Sequence, residues 1–322
     1  MAEEGYGADP FHRRLICRRV FPSHRTERRD RMSLYISNRQ LNRSAPTGHP
    51  YVPVLLERPE TVLKHRIYPS DFELSSLMLD AYELTNTEST ELYYPILPSP
   101  CPSLIFKFNH SMAYGVLCGM TTSLKKLQLP PKFTVFCLRF RPGVLKLLSG
   151  ETAKNLTDCS VPLETYLPHT GVLLNQIRGG ESFHERNIRI HQYLRSRVDA
   201  AACTPAPLLK RSIEMIHASQ GNVRITDLAL EVGCSERYLG RIFHEHVGCS
   251  PKLYCEITRM QFSLNDILIT RPKSLIRTAV SYGYFDQPHM NRSYQKLLGR
   301  TASDMRFFDD SACNVSSISV IL

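Results

Sequence analysis

In the last third of the chain the apolar positions recur with helical spacing. Leu208, Leu209, Ile213 and Ile216 share one helix face, and Leu253, Ile257, Met260, Leu264, Ile267 and Leu268 share another on a longer helix, 251–268, that Pro251 opens. The shorter helices between and after them are marked by residues suited to their ends. Thr226 is placed to cap 227–232, which Gly233 ends, and Ser235 to cap 236–247, which Gly248 closes. Ser274 is placed to cap 275–282, and Asp286 to cap 287–298 with Pro288 in its first turn.

Upstream the texture differs. From Tyr51 to about Leu167, short apolar runs are punctuated by proline, as in Ser103–Phe108, Ala113–Cys118 and Lys132–Phe140, and these read as strands. Arg141-Pro142-Gly143 predicts a turn and 144–148 a short helix, while the spacing over 171–200 predicts two helices broken at Gly179-Gly180. The fold expected is α+β. A mainly-β, sensor-like domain with helices spans 51–200, a linker 201–207, and an all-α domain 208–308 holds two helix-turn-helix units joined by a long helix. A tail follows over 309–322. Residues 1–50 crowd arginines at 13, 14, 18, 19, 25, 28, 29 and 31 with little apolar periodicity, and read as a basic, disordered extension. Met32 is an alternative start within it.

The all-α segment repeats itself. Ala229-Leu-Glu-Val-Gly233 returns as Ala279-Val-Ser-Tyr-Gly283, an aromatic follows each glycine at Phe243 and Tyr294, and a second glycine follows each aromatic at Gly248 and Gly299. The first glycine-to-aromatic interval is ten residues and the second eleven, a one-residue insertion that a turn tolerates. Two helix-turn-helix units predict two reading helices for DNA. A connecting helix of about 18 residues spans roughly 27 Å, which sets those helices about one DNA turn, roughly 34 Å, apart. On helix 236–247, Tyr238, Leu239, Ile242 and Phe243 are expected to pack, leaving Arg237, Gly240, Arg241 and His244 outward. On helix 287–298, His289, Met290, Tyr294 and Leu297 or Leu298 are expected to pack, leaving Gln287, Asn291, Arg292 and Gln295 outward. Arginine suits guanine and Asn or Gln suits adenine. Gly240 thins the first reading face, so specificity is expected to lean on the second.

Composition sets limits on this reading. The chain has 322 residues, 42% hydrophobic and 22% charged, with ten cysteines in no Cys-x-x-Cys pair and a formal charge of +10. The charge favours polyanions, although it is spread without a strongly basic segment. No apolar run approaches the roughly 20 residues of a membrane span, and residues 1–10 carry no signal-peptide pattern, so a cytoplasmic protein is expected. No catalytic motif, metal set or cofactor loop is present. His244, His246 and Cys249 read as solvated or phosphate-facing groups rather than metal ligands. Cys234, Cys249 and Cys255 read as inert small residues with a redox role as the alternative. Arg139 and Arg141 alternate on one strand face, where they would either clamp an anionic effector or face solvent.

The residues of the repeat carry a resemblance. Ile225-x-x-Leu228-Ala229, Gly233-x-Ser235-x-Arg237-Tyr238-Leu239-x-Arg241-x-Phe243, Gly248-x-Ser250-Pro251, Tyr254 and Arg259 resemble the AraC/XylS-type DNA-binding domain. So do Ala279, Gly283-Tyr-Phe-Asp286-Gln-Pro-His289, Arg292-x-Tyr294 and Gly299. The resemblance covers about 100 residues, 207–308, and implies transcription regulation with both recognition helices in the major groove. Its base-facing positions fall on Arg237, Gly240, Arg241, Gln287, Asn291 and Arg292. The chain departs from the pattern at Gly240, at Tyr294 for the usual Phe, at Thr301-Ala302 for Thr-Pro and at Ser263 for alanine. Pro100 to Phe106, Arg139 to Gly143 and Leu156 to Leu163 resemble the small sensor-like domain in front of some such regulators. There it would bind a small-molecule effector or mediate homodimerisation, with double-stranded DNA and RNA polymerase as further partners. The alternative is a ligand-binding or enzymatic front domain with a non-functional helical tail.

Overall fold

The computed structural model describes residues 61–67, 77–167, 169–196, 207–306 and 320–321. The basic extension, the linker before Pro207 and the tail other than 320–321 lie outside these residues. In chain order the front domain contains β1 (Thr61–Ile67), β2 (Met78–Asn86), β3 (Leu92–Ile96), β4 (Ser103–Phe108), β5 (Ala113–Cys118), β6 (Lys125–Leu129), β7 (Thr134–Phe140), α1 (Leu145–Ser149), β8 (Ser160–Pro162), α2 (Thr170–Arg178) and α3 (Phe183–Arg195). An antiparallel sheet runs in the order β1-β2-β7-β4-β5-β8, and β3 pairs with β6 in a smaller sheet that β9 (Val320–Ile321) extends in parallel.

One face of the large sheet buries Leu104, Phe106, Phe136 and Phe140 against Leu173, Ile177, Phe183 and Ile190 of α2 and α3. The opposite face buries Tyr82, Ile105, Val135 and Cys137 against Tyr94 and Leu127 of the small sheet. The three expected strands are β4, β5 and β7, and α2 and α3 break where Gly179-Gly180 predicted. Strand β2 escaped the sequence reading because it carries Asp80 and Glu83, which alternate to opposite faces and are both buried. Each is matched by an arginine. Arg139 Nε donates to Asp80 Oδ1 at 2.7 Å, and Arg186 Nε to Glu83 Oε2 at 2.9 Å.

The C-terminal domain contains α4 (Pro207–Ala218), α5 (Ile225–Glu231), α6 (Glu236–His246), α7 (Pro251–Thr270), α8 (Leu275–Ser281), α9 (Gln287–Leu298) and α10 (Ala302–Arg306). Ser235, Ser250, Ser274 and Asp286 all cap as their side chains allow. Thr226 does not. It sits inside the first turn of α5, whose N-cap is Arg224 with no side-chain cap. Arg224 instead donates to Asp227 at 2.8 Å, so the acidic residue expected near a helix start acts through a neighbouring arginine. The long helix α7 runs two residues past the expected end, to Thr270, and stops at Arg271 in the left-handed region.

The two domains share a boundary. Leu97, Met120 and Leu124 of the front domain join the core built around Leu239, Phe243, Tyr254, Ile257 and Met260. Gln261 Nε2 of α7 donates to Pro98 O at 2.6 Å, and Leu124 N donates to Leu297 O at the end of α9 at 3.0 Å. Thr157 Oγ1 donates to Gly248 O at 2.9 Å just after α6, and Lys146 pairs with Glu245. Gly248 has φ +105, and a Cβ there would lie 2.3 Å from Thr157 Oγ1 and 3.0 Å from Ala153 O. Only glycine permits both that backbone and that approach.

Candidate nucleic-acid interface

The repeat is a repeat of turn chemistry. Cys234 N donates to Ala229 O, and Tyr284 N to Ala279 O, each at 2.9 Å, with Gly233 and Gly283 at φ +72 and +73. Ser235 Oγ then accepts from Tyr238 N at 3.2 Å, and Asp286 Oδ1 from His289 N at 2.6 Å. The copies are therefore offset by fifty through Tyr284 and by fifty-one from the caps onward, so the inserted residue is Phe285.

On α6, Leu239, Ile242 and Phe243 are buried, while Arg237, Arg241 and His244 are exposed. Gly240 leaves open space on the same face. Tyr238 was expected to pack but is 42% exposed, and the Arg241 guanidinium lies 4.8 Å from its ring centroid. The ring thus packs against the arginine on the exposed face of α6 instead of filling the core.

The second helix presents less than expected. On α9, Met290, Tyr294, Leu297 and Leu298 are buried, His289 is half-buried edge-on to Tyr284, and Arg292 and Gln295 are exposed. Asn291 Oδ1 accepts from Ala302 N at 3.1 Å, and Gln287 Nε2 donates to Ser303 Oγ at 3.3 Å. Both amides tie α9 to α10. Bidentate pairing with adenine needs an amide's acceptor and donor together, and the Asn291 acceptor is committed. Arg237, Arg241 and His244 are thus exposed on α6, and Arg292 and Gln295 on α9, while Asn291 and Gln287 of the expected second face are half-buried and bonded to α10. Thr301 and Asp304 form a reciprocal capping box at 3.1 and 2.8 Å that announces α10. Replacing Asn291 by Ala should cost about 1 kcal/mol of stability in denaturant titration and leave base preference at the α9 half-site unchanged. A lost adenine preference would return Asn291 to the reading set.

Arg259, to which the sequence assigned no role, ties to α7 the turn that precedes α5 and the turn that precedes α9. Its guanidinium donates to Gly283 O at 3.2 Å and Gly221 O at 2.8 Å and lies 5.4 Å from the Tyr284 ring centroid. Two departures from the family pattern prove to be one contact, since Tyr294 OH and Ser263 Oγ are 2.8 Å apart and buried. Tyr294→Phe and Ser263→Ala should each cost about 1 kcal/mol, and the double variant less than their sum. A double-mutant cycle by thermal or chemical unfolding checks this, and simple additivity would deny the contact.

Burial pushes the Cys249 and Cys255 thiols up to about 12, which keeps them protonated. Burial lowers the pKa of His246, while His244 is exposed. Among the described residues, no three His, Cys, Asp or Glu side chains gather as metal ligands. Arg139 is buried, and although burial opposes its charge, the Asp80 carboxylate outweighs that and holds its pKa above the usual value. Arg141 is half-buried, and burial lowers its pKa. Arg139 lines a cavity of about 40 Å³ with Tyr82, Tyr94, Cys101, Thr121 and Gln261, which is room for water rather than a drug-sized ligand.

Residues 228–306 match a family described as a helix-turn-helix domain, and residues 66–162 one described as a domain of unknown function (DUF6597). An uncharacterized HTH-type transcriptional regulator YidL of Escherichia coli is 28% identical over 30% of this chain and 32% of its own. The HTH-type transcriptional regulator GbdR of Pseudomonas aeruginosa is 27% identical over 32% of this chain and 28% of its own. The match thus spans about a third of the length of these curated relatives. The structure of ToxT from Vibrio cholerae aligns over 77% of this chain and 98% of that chain, at 12% identity and a TM-score of 0.36. With its duplicated turns, paired caps and joining helix, the C-terminal part of the chain is a helix-turn-helix domain, as the match over residues 228–306 describes it.

Proposed function

We propose that the chain is a sequence-specific DNA-binding regulator of transcription, reading two adjacent major-groove segments with α6 and α9. The observation that carries this reading is the pair of capped helices whose cations stay exposed although the front domain packs against both helices. That domain touches α6 at Glu245 and the turn after it, and α9 at Leu297, leaving Arg237, Arg241, His244, Arg292 and Gln295 exposed. The 20 residues of α7 rise about 30 Å, close to the roughly 34 Å of one DNA turn. We assign base reading chiefly to Arg237 and Arg241, with His244, Arg292 and Gln295 beside them. Gly240 allows close approach, and Gln287 and Asn291 hold the second helix in place.

The front domain is assigned a sensing or dimerising role, with a small-molecule effector and a second copy of the chain as its partners and RNA polymerase as the regulator's target. An anionic effector at Arg139 would have to displace Asp80, so Arg141 is the more accessible of that pair. No helix among the described residues is long and apolar enough to cross a membrane; the cytoplasm is assigned as its compartment because the proposed target is DNA. The test is selection of bound duplexes from a random pool by the full chain at physiological salt. Two half-sites about 10 base pairs apart should emerge, with guanines under α6. Recovery of the unselected pool composition would overturn the reading.

A further inference from the structure

The second unit adds one residue to the turn of the first, and that residue is an exposed aromatic. Phe285 is 87% exposed, more than any other large apolar side chain among the described residues. Turns ordinarily use small polar residues or glycine, so nothing in the turn itself calls for a phenyl ring. Its backbone is held on both sides. Tyr284 before it is buried against His289, Asp286 after it caps α9, and Phe285 N donates to His289 Nδ1 at 3.2 Å. The ring therefore projects from the N-terminal end of α9, the end of a recognition helix that meets base edges. Pro288 in the first turn is exposed as well, whereas Gln287 and Asn291 are tied to α10. This end of α9 thus offers mainly apolar surface. In the major groove, the one base feature that apolar side chains read is the C5 methyl of thymine.

We infer that Phe285 is a specificity-determining DNA contact that packs on a thymine methyl at the edge of the α9 half-site; this rests on the DNA-reading role proposed above. It also explains how a second helix with few free polar side chains contributes sequence preference.

The full-length protein is titrated with its selected duplex and with duplexes in which each thymine of the α9 half-site is replaced, one at a time, by deoxyuridine. At one position the wild type should lose about fourfold in affinity, the worth of one methyl contact. Phe285→Ser should bind the thymine and deoxyuridine duplexes equally, at the level of the wild type on deoxyuridine. The substituted side chain is exposed, so folding is checked only by an unchanged unfolding transition. The inference is overturned if the wild type is indifferent to deoxyuridine throughout the half-site, or if no thymine is selected there. It is equally overturned if Phe285→Ser keeps the discrimination or weakens all duplexes alike, or if DNA binding does not change and the ring serves a protein partner. Arg241→Ala separates this from the underlying reading: if that variant keeps full site preference, the assigned role of α6 fails whatever Phe285 does.

Discussion

Replacing Arg241 by Ala should weaken binding to the selected site by about 1–3 kcal/mol and relax preference at one base pair. Three features support the reading role proposed for it. It is exposed on the outer face of α6, it shares that face with Arg237 and His244, and the Tyr238 ring restrains it. A guanidinium already ordered by an aromatic loses less freedom on pairing with guanine than a loose side chain would. Tyr238→Ala should therefore weaken binding at the same base pair by a smaller amount, although it removes no base contact. Arg241→Lys should not restore affinity, because a single ammonium cannot reproduce the planar bidentate fork. Arg292→Ala should relax the other half-site. Affinities measured across a panel of single-base variants of the site check all four. An equal loss on every sequence would make Arg241 a phosphate contact, and the salt dependence should then fall by about one unit of slope.

The helical third was legible because its grammar is local. Ser235, Ser250 with Pro251, Ser274 and Asp286 are caps that act within one turn, and the positive-φ glycines follow at fixed distances. Where the sequence reading failed, the deciding partner lay outside the window. Tyr238 has the position of a packing residue, yet the core over α6 is completed without it by Leu239, Ile242 and Phe243, together with Leu97, Met120 and Leu124 of the front domain. Asn291 has the chemistry of an adenine reader, but its oxygen accepts from Ala302 N, eleven residues further on. Arg259 belongs to the pattern that carries the resemblance, but its role depends on two turns that meet only in the fold. In the front domain, β2 was hidden by its own carboxylates, whose arginine partners lie on β7 and α3. The sequence period marks which faces are apolar, but it cannot show that a charge is buried against its match.

That buried match carries the other large expected effect. Asp80→Ala should destabilise the protein by about 3–5 kcal/mol, because it leaves the Arg139 guanidinium buried without its main counter-charge. Asp80 is fully buried, Arg139 is 5% exposed, and their two contacts are 2.7 and 2.5 Å, a bidentate geometry. The Tyr82 ring, 5.3 Å from the guanidinium, offers only a cation–π contact in compensation. A loss of this size is a large part of the roughly 5–15 kcal/mol that holds a typical domain. By contrast, Asp227→Ala should change stability by under about 1 kcal/mol, since its pair with Arg224 is exposed. The double variant Asp80→Leu with Arg139→Met should recover most of the loss, because removing both charges leaves neither uncompensated. Urea titration of the full chain reads all of these, and a cost below about 1 kcal/mol for Asp80→Ala would show that other groups balance Arg139. The effect should also cross the domain boundary. Arg139 and Gln261 line the same cavity, and Gln261 anchors α7 to Pro98. If the front domain braces the reading helices, Asp80→Ala should weaken DNA binding under conditions where the C-terminal domain remains folded, and Asp227→Ala should not.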